Sequence, residues 1–135
     1  YKQLKIMDIT QWLKEVVLPR IKVIRPKNRI LLHPTCSCQI MGLTPVLLDI
    51  ARKCAREVIL PDNWGCCGAS GDRGFIFPEL SDSATRDERD EIGHESFDGC
   101  YSLARTCEIA MQDHIEQPYE SIVYLVDETI QDQGT

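Results

Sequence analysis

Two adjacent cysteines, Cys66 and Cys67, lie in a glycine-rich segment at residues 64–71, Trp-Gly-Cys-Cys-Gly-Ala-Ser-Gly. A buried cysteine usually acts as a small apolar side chain, and packing seldom requires two in succession. Glycines on both sides allow the backbone to bend sharply and to approach a bound group closely. This pattern favours a loop that presents two sulfur ligands to a metal ion or a metal cluster.

Two further cysteines complete the candidate ligand set. Twenty-nine residues separate Cys36 from Cys66, and 39 residues separate Cys67 from Cys107. Zinc fingers place their ligands in close Cys-x-x-Cys pairs, so these gaps fit a site assembled from distant loops instead. Four thiolates suit an iron–sulfur cluster or a zinc ion, because these metals prefer soft ligands. The spacing predicts a metal site but leaves both metals open.

Three more residues are candidates for a place in or beside the site. Cys38 either joins the site or lies next to it. Cys100 precedes a predicted helix and is a weaker ligand candidate than Cys107. His33 ends a predicted strand, where its imidazole could bind a metal, form a hydrogen bond with a thiolate, or be a histidine satisfied within a turn.

The residues that follow the cysteine pair predict a supporting role for the loop. Gly68 and the later glycines could supply backbone N–H groups, which stabilise thiolate charge and tune a cluster's potential. Arg73 could bring a positive charge to the site or form an ion pair with Asp72 or another surface acid. Cys54 lies on an apolar helical stripe, which predicts a core position. The charged stretch at residues 82–91 is typical of a solvent-exposed helix face, and we expect His94 and His114 to be solvated.

Composition limits the classes of function. The chain has 135 residues and a formal charge of −6, which predicts one globular unit and argues against nucleic acid as a partner. Its seven cysteines are odd in number and follow no secretory segment, so we expect reduced thiols and a cytoplasmic location. Because the sequence begins with Tyr1 rather than methionine, we also expect a larger protein that contains this chain.

The apolar patterns predict elements that would bring the cysteines together. Strands are predicted at residues 29–33, 57–60 and 97–101, and helices at 8–18, 78–92 and 121–130, with two more after Thr44 and Ser102; a strand at 122–126 is the alternative near the end. This order predicts an α/β fold: a small, open, mainly parallel sheet flanked by helices, with Rossmann-like or flavodoxin-like topology. The cysteine groups each follow a strand, so they should meet at the carboxyl edge of the sheet.

Three short segments carry a resemblance to a known family: His-Pro-Thr-Cys at residues 33–36, Gly-Cys-Cys-Gly at 65–68 and Arg-Thr-Cys-Glu at 105–108. With them the chain resembles the cysteine-rich CCG domain family. Such domains occur in heterodisulfide reductase B subunits, in glycolate oxidase iron–sulfur subunits and at the C-terminus of FAD-linked D-lactate dehydrogenases. The pattern is most similar to the last group, and the resemblance spans about residues 8–127. It divides the chain into an N-terminal helix and linker, 1–28, and a CCG domain, 29–135.

The resemblance implies an iron–sulfur role with ligands at Cys36, Cys66, Cys67 and Cys107. The family pattern closes with Cys-x-x-Cys, whereas this chain has Ala104 at the first of those positions. Four thiolates could still hold a 4Fe–4S cluster or a zinc ion.

The implied function is electron transfer in a flavin-dependent 2-hydroxy-acid dehydrogenase that resembles D-lactate dehydrogenase. FAD-binding and ferredoxin-like domains would precede this domain in the same polypeptide or complex. A quinone or a cytochrome would accept the electrons, and the full-length enzyme could attach peripherally to the inner face of the plasma membrane. The domain alone is not expected to be catalytic. The alternatives are a structural zinc-binding docking module and a thiol/disulfide redox domain.

Overall fold

A parallel β-sheet forms the centre of the computed structural model, which describes residues 3–130. Its strands are adjacent in the order β2-β1-β3-β4, and each pair is parallel. Their bounds are β1 (Lys27–Leu32), β2 (Ala55–Ile59), β3 (Gly99–Ser102) and β4 (Tyr119–Ser121). Helices flank the sheet, which confirms the predicted small α/β fold.

Seven α-helices cover the two faces of the sheet in the described part of the chain. The first continues through a π-helical turn (Leu13–Val17) and a short 3-10 turn (Leu18–Arg20). The helices are α1 (Ile9–Trp12), α2 (Cys36–Ile40), α3 (Thr44–Cys54), α4 (Arg73–Ile76), α5 (Pro78–Ile92), α6 (Arg105–Ile115) and α7 (Ile122–Ile130).

Strand β1 is apolar because both of its faces are covered. Ile30, Leu31 and Leu32 are fully buried, as expected for a central strand in a parallel sheet. Ile30 and Leu32 belong to one apolar cluster with α3 and α7, whereas Leu31 faces a second cluster formed with α5 and α6. The alternation of side chains along β1 therefore divides the core into two layers.

Helix α3 follows the predicted pattern. A proline lies in its first turn, where the missing N–H has no helical partner to lose. Its buried stripe packs into the first apolar cluster and consists of Leu47, Ile50, Ala51 and Cys54. Cys54 is fully buried, which confirms its predicted core position.

Two short elements were not predicted. No element was predicted at residues 34–43, but they contain α2, because the Thr35 hydroxyl accepts a hydrogen bond from the Cys38 N–H and caps a short helix. Strand β4 has only three residues and was also missed. Ser102 precedes α6, as predicted, but it ends β3, and its hydroxyl donates to the carbonyl of His33. The predicted helix at residues 121–130 is confirmed by α7, so the alternative strand at 122–126 is not formed.

The N-terminal helical segment contributes to the core. Leu13 and Leu18 are buried in the first apolar cluster. The predicted division of the chain at residue 28 stays a prediction, and the ends of the two predicted domains, residues 1–2 and 131–135, lie outside the described residues. Among residues 3–130, no helix combines the length and the apolar character needed to cross a bilayer.

The sheet order creates a crevice at one edge. From β1 the chain crosses to β2 on one side, and β3 lies on the other side of β1 and leads to β4. The loops that leave the carboxyl ends of β1 and β3 therefore diverge. In open α/β sheets, bound groups occupy the crevice at such a point.

Candidate functional site

The predicted ligands lie in three segments that follow the strands of the sheet. Cys36 is the first residue of α2, which follows β1, and Cys107 lies in the first turn of α6, which follows β3. Cys66 and Cys67 lie in the loop between β2 and α4. The fold thus brings cysteines that are distant in sequence to the carboxyl edge of one sheet.

Cys67 and Cys107 form the closest thiol pair, with their sulfurs 3.0 Å apart, and both are buried. The pKa of Cys67 falls from its usual 9.0 to about 6, mainly because of its hydrogen bond with the Cys107 thiol. Burial opposes this change, whereas the Ala69 N–H and the charge of His33 add to it. The pKa of Cys107 is raised by the same hydrogen bond and by burial. The pair therefore favours one thiolate, on Cys67.

Cys36 and Cys66 lie on the more accessible side of the site. Cys36 is half-buried and Cys66 is exposed. Burial raises the pKa of Cys36, and its hydrogen bond with Cys66 and the negative charges of Cys66 and Cys67 act in the same direction. The backbone N–H of Gly68 donates to the Cys66 sulfur over 3.4 Å. The loop therefore supplies a backbone donor to one of its own thiols.

The four thiols influence one another electrostatically. Charges on Cys67, Cys36 and Cys66 all raise the pKa of Cys107. As the side chains stand, however, no three or more His, Cys, Asp or Glu residues within 3–130 are arranged to hold a metal ion. Sulfurs around one tetrahedral zinc ion lie about 3.8 Å apart, so the closest pair would have to separate. The set fits a soft metal by its chemistry, and its metal-binding role stays a prediction.

Gly68 fixes the cysteine loop against α5. Its φ is +72°, and a Cβ added there would lie 2.6 Å from the Leu80 carbonyl oxygen and 2.7 Å from the Ser81 Cα. No side chain fits this space, since backbone atoms cannot move aside as a flexible side chain would. The close approach between the loop and α5 therefore requires glycine.

Three candidate residues lie outside the set of four cysteines described above. Cys38 is buried in the first apolar cluster, with its sulfur 4.0 Å from the Thr44 hydroxyl. Cys100 is buried within β3, and burial raises its pKa to about 12. Arg73 begins α4 directly after Asp72, and it is not among the groups that shift the pKa of Cys67 most.

Glu88 is a residue that the sequence analysis placed wrongly. It was assigned to a solvent-exposed face, but it is only 2% exposed and contacts His33. The two Glu88 oxygens lie 3.1 and 3.3 Å from the His33 Nδ1. The buried residues of α5 recur at helical spacing, but three of the four are polar, so the sequence shows no apolar stripe that predicts their burial: Ser81, Thr85, Glu88 and Ile92.

His33 is fully buried at the end of β1, whereas the other two histidines are not. His94 is exposed, as predicted, and His114 is partly exposed, with its Nδ1 4.0 Å from Asp82. In contrast, Nε2 of His33 is buried and has no hydrogen-bond partner among the described residues. His33 is therefore not the fully satisfied histidine that was one of the three predicted possibilities.

Comparison with known proteins adds no assignment. No family model matches the chain, and no curated protein sequence matches it.

Proposed function

We propose that this chain is an electron-transfer domain whose cysteine-rich edge holds an iron–sulfur cluster. The observation that carries the proposal is the convergence of cysteines from three separate segments on one sheet edge, where their thiols affect one another's ionisation. Buried thiols kept close together without forming disulfides have little value for packing alone. Their grouping is what a soft metal centre requires.

Four cysteines would hold the cluster: Cys36, Cys66, Cys67 and Cys107. A bound cluster would supply one-electron transfer. The protein's own contribution is to keep the sulfurs charged and positioned. The Ala69 N–H stabilises charge on Cys67, and the Gly68 N–H donates to Cys66. Burial of Cys67 and Cys107 excludes water from one side, whereas the exposed Cys66 leaves the other side open to an electron donor or acceptor.

The resemblance to CCG domains extends this proposal to the larger enzyme. In that setting the domain belongs to an FAD-linked dehydrogenase of D-lactate or a related 2-hydroxy acid. The flavin-binding and ferredoxin-like domains deliver electrons, and a quinone or a cytochrome accepts them. The enzyme is then cytoplasmic and attached peripherally to the inner face of the plasma membrane. On this proposal, the flavin-binding part of the enzyme oxidises the substrate.

Metal analysis of protein purified without oxygen tests the proposal. We expect iron and acid-labile sulfide, a brown colour and an electron paramagnetic resonance signal after reduction. One zinc per chain without colour would instead support the structural zinc-binding docking module, and absence of both metals would contradict either role.

A matched pair of cysteine variants identifies the ligands. Cys67→Ser should abolish metal binding, because a hydroxyl is a poor ligand for a soft metal. Cys54→Ala removes a thiol that lies in the apolar core, so its metal content should equal that of the wild type. Loss of metal in the Cys54 variant would contradict the ligand assignment.

The 3.0 Å separation of the Cys67 and Cys107 sulfurs favours a second candidate, thiol/disulfide exchange. The Cys67 thiolate would attack a small disulfide, expel one thiolate and form a mixed disulfide. Cys107 would then displace the second thiolate, leaving a Cys67–Cys107 bond and two reduced small thiols. Metal-free protein incubated with oxidised glutathione should then lose two thiols, and peptide mass spectrometry should locate the bond. Retention of all seven thiols would exclude this function.

A further inference from the structure

The His33–Glu88 pair is an ionisable group in the core that the proposed four-cysteine site does not use. Both side chains are almost fully withdrawn from water, at 1% and 2% exposure. Burial of a carboxylate is costly unless it is paired and hydrogen-bonded. A pair that served only for packing could be replaced by apolar side chains of similar volume, often without loss of stability. The burial of this ionisable pair therefore points to a role beyond packing.

The backbone holds His33 rigidly at the crevice between β1 and β3. Its N–H donates to the Tyr101 carbonyl oxygen over 2.9 Å. Its own carbonyl oxygen accepts from the Ser102 hydroxyl, also over 2.9 Å. The imidazole therefore projects from a fixed point at the carboxyl end of β1, three residues before Cys36 at the start of α2.

Glu88 sets the state of the imidazole ring. The carboxylate can only accept, so Nδ1 carries the proton that it donates to Glu88. In the neutral ring, Nε2 is then a lone-pair acceptor directed away from Glu88. That atom is buried and has no partner within the described residues. A buried acceptor without a partner loses its hydration and gains nothing in return, so the retention of this one points to a group that binds there.

The ring lies on the same side of the sheet as the buried thiols. His33 comes two residues after Leu31, so its side chain points to the same face as Leu31, which packs in the second apolar cluster together with Cys67 and Cys107. No thiol is near enough to donate a hydrogen bond to Nε2. The arrangement of a carboxylate on one ring nitrogen and an open lone pair on the other is the one that metal-binding histidines adopt.

We propose that His33 is a nitrogen ligand of the metal centre, with Glu88 as the positioning residue that fixes its tautomer. The inference rests on the proposed function in that it requires a metal at the cysteine-rich edge. It differs from the four-cysteine assignment because the His33 imidazole either takes the place of one thiolate or binds as a further ligand beside the four thiolates. Where a neutral imidazole takes the place of a thiolate, the ligand set loses one negative charge, which raises the reduction potential of a cluster.

Magnetic resonance on the wild-type chain tests the proposal directly. The chain contains three histidines, which can be labelled with nitrogen-15. After anaerobic reconstitution with ferrous iron and sulfide and reduction with dithionite, pulsed electron paramagnetic resonance should detect a strong coupling between the cluster and one labelled nitrogen. A reduced cluster without this coupling would overturn the inference and leave the proposed function intact.

Variants identify which histidine is responsible. His33→Gln should abolish the coupling, whereas His114→Gln should retain it, because His114 is also paired with a carboxylate but is partly exposed.

A variant of Glu88 tests the positioning role. Glu88→Gln should leave His33 as a metal ligand but hold its imidazole ring less firmly in the right orientation. We expect the affinity for zinc, measured by competition with a chelator, to fall about 10- to 100-fold in this variant, as is typical when the hydrogen-bond partner of a metal ligand is changed. Unchanged affinity would argue against positioning by Glu88.

A zinc protein would separate the two proposals. If the purified chain holds zinc instead of iron, replacement of zinc by cobalt(II) gives a visible spectrum that reports the ligands. A spectrum typical of mixed sulfur and nitrogen ligands, and altered by His33→Gln, would uphold this inference while the electron-transfer proposal failed. An all-sulfur spectrum would overturn it, and a chain that binds neither iron nor zinc would overturn both.

Discussion

At the residue scale, a hydrogen bond between two thiols is the strongest influence on ionisation in the site. It lowers the pKa of Cys67 more than the backbone N–H of Ala69 or the charge of His33 does. The sequence suggested Arg73 as the source of positive charge, but His33, which directly follows β1, has that influence on Cys67. The thiolate on Cys67 is therefore a property of the assembled edge and is absent from the isolated loop.

The stability of the reduced, metal-free chain should rise with pH between about 6 and 9. Folded Cys67 loses its proton near pH 6, whereas the unfolded thiol keeps its proton up to about 9.0. Between these values the unfolded state binds more protons, so stability increases with pH. The contribution is complete above pH 9 and is lost as the pH falls through about 6. Urea midpoints measured across this range, with a chelator and a phosphine reductant present, check the prediction.

Two variants serve as controls for the pH dependence. Cys67→Ala should abolish most of it. Cys100→Ala should preserve it, because burial keeps Cys100 protonated throughout this range. An unchanged pH dependence in Cys67→Ala would contradict the assignment of the thiolate.

At the element scale, the parallel sheet and its helices followed from the apolar pattern. The run Ile30–Leu32 predicted a buried central strand, and α5 was predicted with the observed bounds. The short elements α2 and β4 were missed. Helix α2 is determined by one side-chain cap and the turn after it. Strand β4 has too few residues to show the alternation of apolar and polar side chains from which a strand is predicted. Glu88 was misplaced because its charge suggested solvent, and only its contact with a residue 55 positions away explains its burial.

The element that depends most on close packing is the cysteine loop, and two glycines in it provide a matched comparison. Gly68→Ala should destabilise the chain by about 2–5 kcal/mol, because a positive φ costs about 1–2 kcal/mol and overpacking adds about 1–3 kcal/mol. Gly71 also has a positive φ, of +76°, but no described atom lies within 4 Å of its Cβ position. Gly71→Ala should therefore cost only about 1–2 kcal/mol.

Denaturant unfolding of the two glycine variants measures this difference. Metal content should follow the same order, because displacement of Gly68 moves Cys66 and Cys67 away from Cys107. Equal losses of stability in the two variants would show that the contact with α5 does not fix the loop.

At the scale of the whole molecule, the apolar core is complete on both faces of the sheet. The first cluster contains neither the four candidate ligands nor His33. The second includes Cys67 and Cys107, but its other members come from β1, β3, β4, α5 and α6 as well as the loop. The core therefore does not depend on a bound group, unlike that of a zinc finger.

Metal removal should leave the chain folded. Small metal domains without an adequate core unfold when the metal is removed, whereas this chain buries apolar side chains in two layers around β1. After chelation under reducing conditions, we expect an unchanged far-ultraviolet circular dichroism spectrum, cooperative thermal unfolding and a lower Tm than in the metal-bound protein. The decrease in Tm reports the free energy of metal binding, since a ligand that binds only the folded state stabilises it. Loss of the helical signal on chelation would show that the metal organises the fold, and would favour a structural zinc site over an electron-transfer centre.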